Sequence, residues 1–182
     1  MADDRSAEPQ ASVEASDGDD IDDLVAEAAR LGERCLTLGR RVATVESCTG
    51  GLVAHLMTEI PGSSDWFVGG FVTYSNALKS DTVGVPAETL ASHGAVSAQV
   101  AMAMATGGRE RTGADLAVAV TGIAGPDGGT ASKPVGLTYV AVADAVGVAV
   151  KRHVWDGDRS ANKRHSAGAA LALLLERVEA SA

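Results

Sequence analysis

The residues best suited to chemistry lie in the run ESCTGG, residues 46–51, which follows the β-type run 41–45 and precedes an apolar helical pattern. A strand that ends in hydroxyl and thiol groups and then begins a helix brings backbone N–H groups and a nucleophilic side chain to one point. Ser47 and Cys48 are rival nucleophiles, because a thiol beside a helix N-terminus would also be activated. The simpler alternative is an ordinary strand-to-helix connection in which Thr49 is the N-cap.

Two later segments, residues 74–79 and 121–129, also place polar or small residues after a predicted strand. Ligands in open α/β sheets bind outside the carboxyl ends of the strands, so we expect all three segments to converge. A serine near Lys79 and Tyr74 suggests nucleophilic catalysis without histidine, in which a neutral lysine or a tyrosinate takes the hydroxyl proton. Lys79 suits that role only if burial or a neighbouring cation lowers its pKa, and by itself it would be an ordinary solvated lysine.

The glycine-rich loop 121–129 offers many backbone donors and the carboxylate of Asp127. Such a loop can hold an oxyanion or a phosphate, or it can simply be a crossover loop. It matches neither G-x-G-x-x-G nor a Walker A sequence, which argues against a Rossmann dinucleotide site and a P-loop NTPase. The four histidines are scattered, and none pairs with a cysteine or a second histidine at metal-ligand spacing. We therefore expect no metal and no cofactor.

Negative charge is concentrated at the N-terminus, where residues 1–20 contain seven acidic residues against Arg5 in a chain of formal charge −9. The acidic segment lacks an apolar period, so we expect residues 1–20 to be a disordered tail and residues 21–182 to form one domain. The sequence has no basic run, and the tail would repel phosphate, so nucleic acid is not an expected partner.

Cellular location is indicated by what the sequence lacks. Two cysteines do not make a disulfide framework, and the N-terminus has no signal-peptide pattern. No segment of 18 or more residues is apolar enough to span a bilayer. We expect a cytoplasmic protein without membrane contact, and a homo-oligomer with a dimer favoured.

Strand and helix patterns alternate along the chain and predict a layered α/β domain. A hairpin near the C-terminus makes the predicted sheet mixed. The first predicted helix begins at Ile21 and ends at Gly39. The other predicted helices cover residues 52–60, 97–111 and 160–180. The predicted strands cover residues 41–45, 69–74, 114–120, 135–143 and 147–155. A short turn is predicted to carry Trp66 and Phe67.

Several motifs together resemble the CinA C-terminal domain family, the nicotinamide-nucleotide amidohydrolase (PncC) group. The resemblance covers roughly residues 22–178 and is carried by residues 45–51, 70–76 with Lys79, 93–97, 121–129 and 133–136. It implies a three-layer α/β/α sandwich with a mixed, largely parallel sheet. It also implies hydrolysis of the carboxamide of nicotinamide mononucleotide to nicotinate mononucleotide and ammonia, in pyridine-nucleotide recycling.

The resemblance also implies roles for individual residues. The catalytic residues would be Ser47 as nucleophile with Tyr74 and Lys79, and the sequence leaves open which of the latter two is the general base. Arg159, in the GDR element at residues 157–159, would bind the phosphate. The implied substrate-binding residues are Thr49, Gly50, Asn76, Thr121, Gly122 and Arg159. The alternative is a non-catalytic nucleotide-binding or regulatory module with the same pocket.

Overall fold

The computed structural model describes residues 20–180. Apart from Asp20, the predicted acidic tail lies outside the described residues. The helices are α1 (Ile21–Leu38), α2 (Leu52–Thr58), α3 (Asn76–Val83), α4 (Ala87–His93), α5 (Ala98–Thr112) and α6 (Arg159–Ala180). The strands are β1 (Val42–Glu46), β2 (Phe67–Val72), β3 (Leu116–Gly122), β4 (Leu137–Ala143) and β5 (Val148–Val154), and a 3-10 turn covers Ser63–Asp65.

The five strands form one sheet in the order β2-β1-β3-β4-β5. β1 runs parallel to both β2 and β3, whereas β3–β4 and β4–β5 pair antiparallel. The predicted α/β fold with a mixed sheet is therefore confirmed, with equal numbers of parallel and antiparallel pairings rather than a parallel majority. Because the three parallel strands are neighbours, their carboxyl ends lie at the same edge of the sheet, where the chain forms the loops that begin at Ser47, Thr73 and Ile123.

Helices cover both faces of the sheet and give three layers. α1, α2 and α6 pack on one face, and α5 packs on the other together with α3. Side chains alternate accordingly along β4, where Val140 and Val142 enter the first core and Ala141 and Ala143 enter the second. The small alanines on the α5 side allow this helix to approach the sheet closely.

The predicted elements occur, with ends that shift by a few residues. α1 ends at Gly39, which adopts a left-handed conformation, as the sequence predicted. Phe67 was expected in a turn beside Trp66 but is the first residue of β2, because it pairs with Val42. Among residues 20–180, no helix has the length and apolar character needed to cross a membrane.

Close packing between α3 and α5 depends on a glycine within α5. Gly107 and Gly108 lie near the end of this helix, and both are buried. A Cβ atom at Gly107 would lie 1.7 Å from the carbonyl oxygen of Val83, the last residue of α3. Gly107 thus lets α3 pack directly on α5, and α3 carries Lys79.

Candidate active site

Ser47 lies immediately after β1, at a point where that strand is held by both of its neighbours. Its N–H donates to the carbonyl oxygen of Val120 on β3 at 2.9 Å. On the other side, the N–H of Thr73 donates to the carbonyl oxygen of Glu46 at 2.8 Å. The backbone that carries the serine is therefore fixed by the sheet on both sides.

The turn after Ser47 uses left-handed glycines, Gly50 and Gly51, with φ angles of 65° and 100°. Gly51 is the N-cap of α2 and supplies no side chain for capping. The interpretation of Thr49 as the N-cap is therefore wrong, and the Thr49 hydroxyl is buried without a hydrogen-bond partner. The N-terminus of α2 is capped instead by the carboxylate of Glu46, which reaches forward from β1.

Lys79 lies on α3, whose N-cap Ser75 accepts a hydrogen bond from the N–H of Leu78 at 3.1 Å. The side chain of Lys79 is only 1% exposed. Its Nζ donates to Ser47 Oγ at 3.0 Å and to the carbonyl oxygen of Thr73 at 2.7 Å, with a longer contact to the carbonyl oxygen of Tyr74 at 3.4 Å. The amine is thus surrounded by oxygen atoms that carry no formal charge.

Burial lowers the pKa of Lys79 below its ordinary value. An ammonium has three N–H donors, one for each of the three contacts of Nζ, whereas a neutral amine has two N–H donors and one lone pair. In the neutral form, the two carbonyl oxygens can only accept, so they take the two N–H groups. The remaining position faces Ser47 Oγ, whose hydroxyl proton can then point at the lone pair of the nitrogen. This arrangement is suited to removal of the serine proton.

Cys48 occupies a different environment from its neighbour. Its side chain is buried in the core beneath α1, α2 and α6, where Ala124 belongs to the same cluster. Burial raises the pKa of the Cys48 thiol to about 12. A thiol with such a pKa is protonated at neutral pH and a poor nucleophile. The geometry therefore favours Ser47 over Cys48.

Tyr74 and Arg159 meet at the mouth of the site. The side chain of Tyr74 is 59% exposed, and its hydroxyl lies 3.4 Å from a guanidinium nitrogen of Arg159. A second guanidinium nitrogen of Arg159 donates to the carbonyl oxygen of Gly125 at 2.7 Å. Asn162, one turn along α6, donates to the neighbouring carbonyl oxygen of Ala124 at 3.1 Å. The first turns of α6 therefore hold the start of the glycine-rich loop.

A cavity of about 270 Å³ opens above the Ser47–Lys79 pair. It is lined by Ser47, Cys48, Tyr74, Lys79, Ala95, Val96, Thr121, Gly122, Ile123, Ala124, Gly125, Asp127, Gly128 and Arg159. A second cavity of about 450 Å³ shares Ala124 and Arg159 with the first. The two cavities thus adjoin at Ala124 and Arg159, where an elongated ligand could extend from one to the other.

The wall formed by residues 93–96 is held from two sides. Thr121 Oγ1 donates to the carbonyl oxygen of Ala95 at 2.8 Å, and Lys133 Nζ donates to the carbonyl oxygen of His93 at 2.6 Å. The two donors lie on β3 and on the loop between β3 and β4. Both therefore tie the segment 93–96, which includes the cavity-lining Ala95 and Val96, to β3 and to the loop that follows it.

The sequence matches the CinA C-terminal domain family over residues 25–178. This chain belongs to the CinA C-terminal domain family.

No group of histidine, cysteine and acidic side chains that could hold a metal ion occurs among residues 20–180.

Known relatives of this CinA domain differ in length. A protein of Pseudomonas putida named nicotinamide-nucleotide amidohydrolase PncC is 47% identical over 86% of this chain and 98% of its own length. A CinA-like protein of Geotalea uraniireducens is 52% identical over 81% of this chain, which corresponds to 34% of that relative. The chain therefore spans about a third of some curated relatives and nearly all of another. The crystal structure of the competence/damage inducible protein CihA of Agrobacterium tumefaciens aligns with a TM-score of 0.80, at 46% identity over 84% of this chain and 94% of the other.

In this CinA domain the structure brings together six of the nine residues that the family resemblance implied for the site. The cavity is lined by Ser47, Tyr74, Lys79, Thr121, Gly122 and Arg159. Thr49, Gly50 and Asn76, also expected to bind substrate, do not line it. Thr49 is fully buried, and Asn76 is exposed at the start of α3.

Other contributions to the site escaped sequence reasoning. The carbonyl oxygen of Thr73 holds the Lys79 amine, but a backbone group leaves no signal in the sequence. Ala95 and Val96 line the cavity and belong to one of the motifs that carry the family resemblance, yet small apolar residues do not suggest a role by type. Glu46 belongs to the run ESCTGG, but its link to three N–H groups follows only from the fold.

The lowered pKa of Lys79 predicts how stability depends on pH. The folded state binds the lysine proton less tightly than the unfolded state, where the ordinary value is 10.5. The unfolded chain therefore holds more protons between the lowered pKa and that value, so stability rises with pH in this window. We expect the free energy of unfolding of the wild type, relative to Lys79→Met, to increase as the pH rises from the lowered pKa toward about pH 10.

Urea unfolding of both proteins at several pH values measures this difference. Lys79→Met serves as the reference, since it lacks the amine and retains every other titrating group. A difference that stays constant over this range would show that burial leaves the pKa of Lys79 at its ordinary value.

Proposed function

We propose that this CinA domain hydrolyses the carboxamide of nicotinamide mononucleotide to nicotinate mononucleotide and ammonia. The observation that carries the proposal is the buried Ser47–Lys79 pair, with Nζ 3.0 Å from Oγ, beneath a cavity of suitable size. The P. putida relative supports the choice of substrate, because its alignment with this chain covers nearly its whole length and it is named for this activity.

The reaction follows the pattern of a serine amidase. Ser47 Oγ attacks the carboxamide carbon as its proton passes to Lys79 Nζ. The tetrahedral oxyanion collapses, the C–N bond breaks, and the departing nitrogen takes the proton from Lys79 and leaves as ammonia. Lys79 then removes a proton from water, which attacks the ester on Ser47. Breakdown of this second intermediate returns the proton to Ser47 Oγ and releases the carboxylic acid, which loses its remaining proton to solvent and becomes the carboxylate product.

Lys79 is the proposed general base in preference to Tyr74. Its nitrogen contacts Ser47 Oγ directly, whereas the Tyr74 hydroxyl is exposed and contacts Arg159. The backbone of Tyr74 contributes differently, since its carbonyl oxygen faces Lys79 Nζ. We assign the Tyr74 side chain to the mouth of the cavity, where it meets substrate beside Arg159.

The charges around the cavity suit a substrate with a cationic ring and an anionic phosphate. Asp127 is the acidic residue among those that line the cavity, and Arg159 is the cation at its junction with the second cavity. Ala95, Val96 and Ile123 supply apolar surface for a flat ring. The pyridinium ring would lie near the pair Ser47–Lys79, and the phosphate near the guanidinium.

Ammonia release from nicotinamide mononucleotide by the purified protein tests the proposal. Binding of the nucleotide without ammonia release would favour the alternative, a non-catalytic nucleotide-binding or regulatory module. A role in pyridine-nucleotide recycling, a cytoplasmic location and a homo-oligomeric state with a dimer favoured stay predictions from the sequence.

The assignment of the nucleophile predicts opposite results at adjacent positions. Ser47→Ala should lower kcat for ammonia release by about a thousandfold or more, because no oxygen remains to form the acyl-enzyme. Cys48→Ala should retain much of the activity, since the thiol packs in the core. Steady-state ammonia assays with both variants measure this, and circular dichroism checks that each is folded. The reverse ranking would assign the chemistry to Cys48.

The role of Lys79 predicts a pH dependence with a definite sign. The active form has a neutral amine, so kcat should rise with pH through an apparent pKa below the ordinary 10.5. Lys79→Arg keeps a positive charge but cannot lose its proton in this range, so its kcat should fall by about 100-fold or more. The measurement is the pH–rate profile of both proteins. Substantial turnover by Lys79→Arg would make Lys79 an electrostatic anchor and move the base to Tyr74.

The role of Arg159 predicts a selective effect on the nucleotide. Arg159→Ala should raise KM for nicotinamide mononucleotide by about 10- to 100-fold, because a charge-assisted contact with phosphate is lost. Free nicotinamide lacks the phosphate, so kcat/KM for its deamidation should change much less. Parallel ammonia assays with both substrates measure the contrast. Equal losses for the two would place the phosphate elsewhere.

A further inference from the structure

Glu46 makes an unusual set of contacts for a carboxylate at the end of a buried strand. The side chain is 1% exposed. One oxygen accepts the N–H groups of Gly51 at 2.9 Å and Val53 at 3.1 Å, and the other accepts the N–H of Ala54 at 2.8 Å. These donors begin α2, so the carboxylate closes the loop that contains Ser47.

The N-terminus of a helix that follows such a loop does not require a buried carboxylate. Serine, threonine or aspartate at the N-cap position satisfies the same donors from the surface. Transfer of a carboxylate into the interior is unfavourable unless several hydrogen bonds compensate for lost water. Here three N–H groups compensate, and the N-terminal donors of α2 are consequently unavailable to substrate. The contact therefore serves the loop rather than the ligand.

The backbone of Glu46 reaches the other partner of the proposed reaction. Its carbonyl oxygen accepts the N–H of Thr73, and the carbonyl oxygen of Thr73 accepts Lys79 Nζ. Glu46 thus fixes the nucleophile loop through its side chain and, through its main chain, fixes Thr73, whose carbonyl oxygen contacts the Lys79 amine. Ser47 is the next residue in the chain.

We propose that Glu46 is the positioning residue of this site, which holds Ser47 Oγ at the distance from Lys79 Nζ that proton transfer requires. The inference rests on the proposed function of Ser47 and Lys79. Glu46 itself contacts neither the substrate cavity nor the reacting atoms. It acts through the loop between β1 and α2.

Glu46→Gln tests the role with little change in volume. The glutamine amide presents N–H groups where a carboxylate oxygen accepted, so at least one of the three backbone donors loses its partner. Because a displacement of about 1 Å lowers rates by about 100-fold, we expect kcat for nicotinamide mononucleotide to fall by that order. KM should change less than about threefold, because the residues that line the cavity are retained.

Asp144→Asn is the matched control. Asp144 is also a buried carboxylate that accepts two backbone N–H groups, from Val146 and Gly147, and it also pairs with Arg177. It lies in the β4–β5 hairpin, at the opposite edge of the sheet. We expect it to lower Tm while kcat per folded molecule stays unchanged. Glu46→Asp keeps both acceptor oxygens but draws them back by one methylene, so its kcat and its Ser47 labelling rate should lie between those of Glu46→Gln and those of the wild type.

A serine-reactive fluorophosphonate separates this inference from the identity of the substrate. Ser47 Oγ displaces fluoride from the phosphorus, so mass spectrometry of the labelled peptide reports the reactivity of Ser47 without any amide. Labelling should be slowed about 100-fold in Glu46→Gln and be normal in Asp144→Asn. If the wild type labels rapidly but releases no ammonia from nicotinamide mononucleotide, the proposed substrate is wrong and this test still applies.

Three results would overturn the proposal. The first is wild-type kcat and labelling in Glu46→Gln together with a Tm loss like that of Asp144→Asn. The second is a Glu46→Asp protein no more active than Glu46→Gln. If Glu46→Gln does not fold, the third is a folded Glu46→Asp protein whose Ser47 labels as fast as in the wild type.

Discussion

The amine of Lys79 lies in the protein interior, and its hydrogen-bond partners in the described structure are the uncharged oxygens of Ser47, Thr73 and Tyr74. An ammonium ion in this position would lose its hydration without gaining a carboxylate partner, so burial favours the neutral form. The rest of the site depends on this constraint. A neutral amine has one lone pair, and the two carbonyl oxygens leave that lone pair directed at the serine.

The sheet supplies the precision that such a contact needs. Ser47 and Thr73 follow two adjacent parallel strands, and hydrogen bonds tie both to the strand ends. α3 brings Lys79 back to the same point and is held against α5 by contact with Gly107. The loop after β3 then covers the site and is anchored by Arg159 and Asn162 from α6. The groups of the proposed chemistry are buried, whereas Tyr74 and Asp127, at the entrance, are exposed.

Much of the fold was predictable because its signals are local. Helical periodicity, Gly39 after α1 and the hairpin between β4 and β5 all appear within short stretches of sequence. The convergence of the three polar segments was also predictable, since parallel strands bring their carboxyl ends together. Strand pairing was less predictable from the sequence. Phe67 belongs to β2 because it pairs with Val42, and the sequence around Phe67 does not indicate that partner.

The sequence by itself determined which residue types were available for the chemistry, and it left open which of two residues is the nucleophile and which of two is the base. Tertiary structure favoured Ser47 over Cys48, because the thiol enters the core and its pKa rises to about 12. It favoured Lys79 over Tyr74, because Nζ rather than the phenol reaches Ser47 Oγ. It also replaced Thr49 by Glu46 as the cap of α2. Each case was decided by the burial of a side chain or by a distance between residues of different elements. Both quantities are fixed only when the chain packs into its tertiary structure.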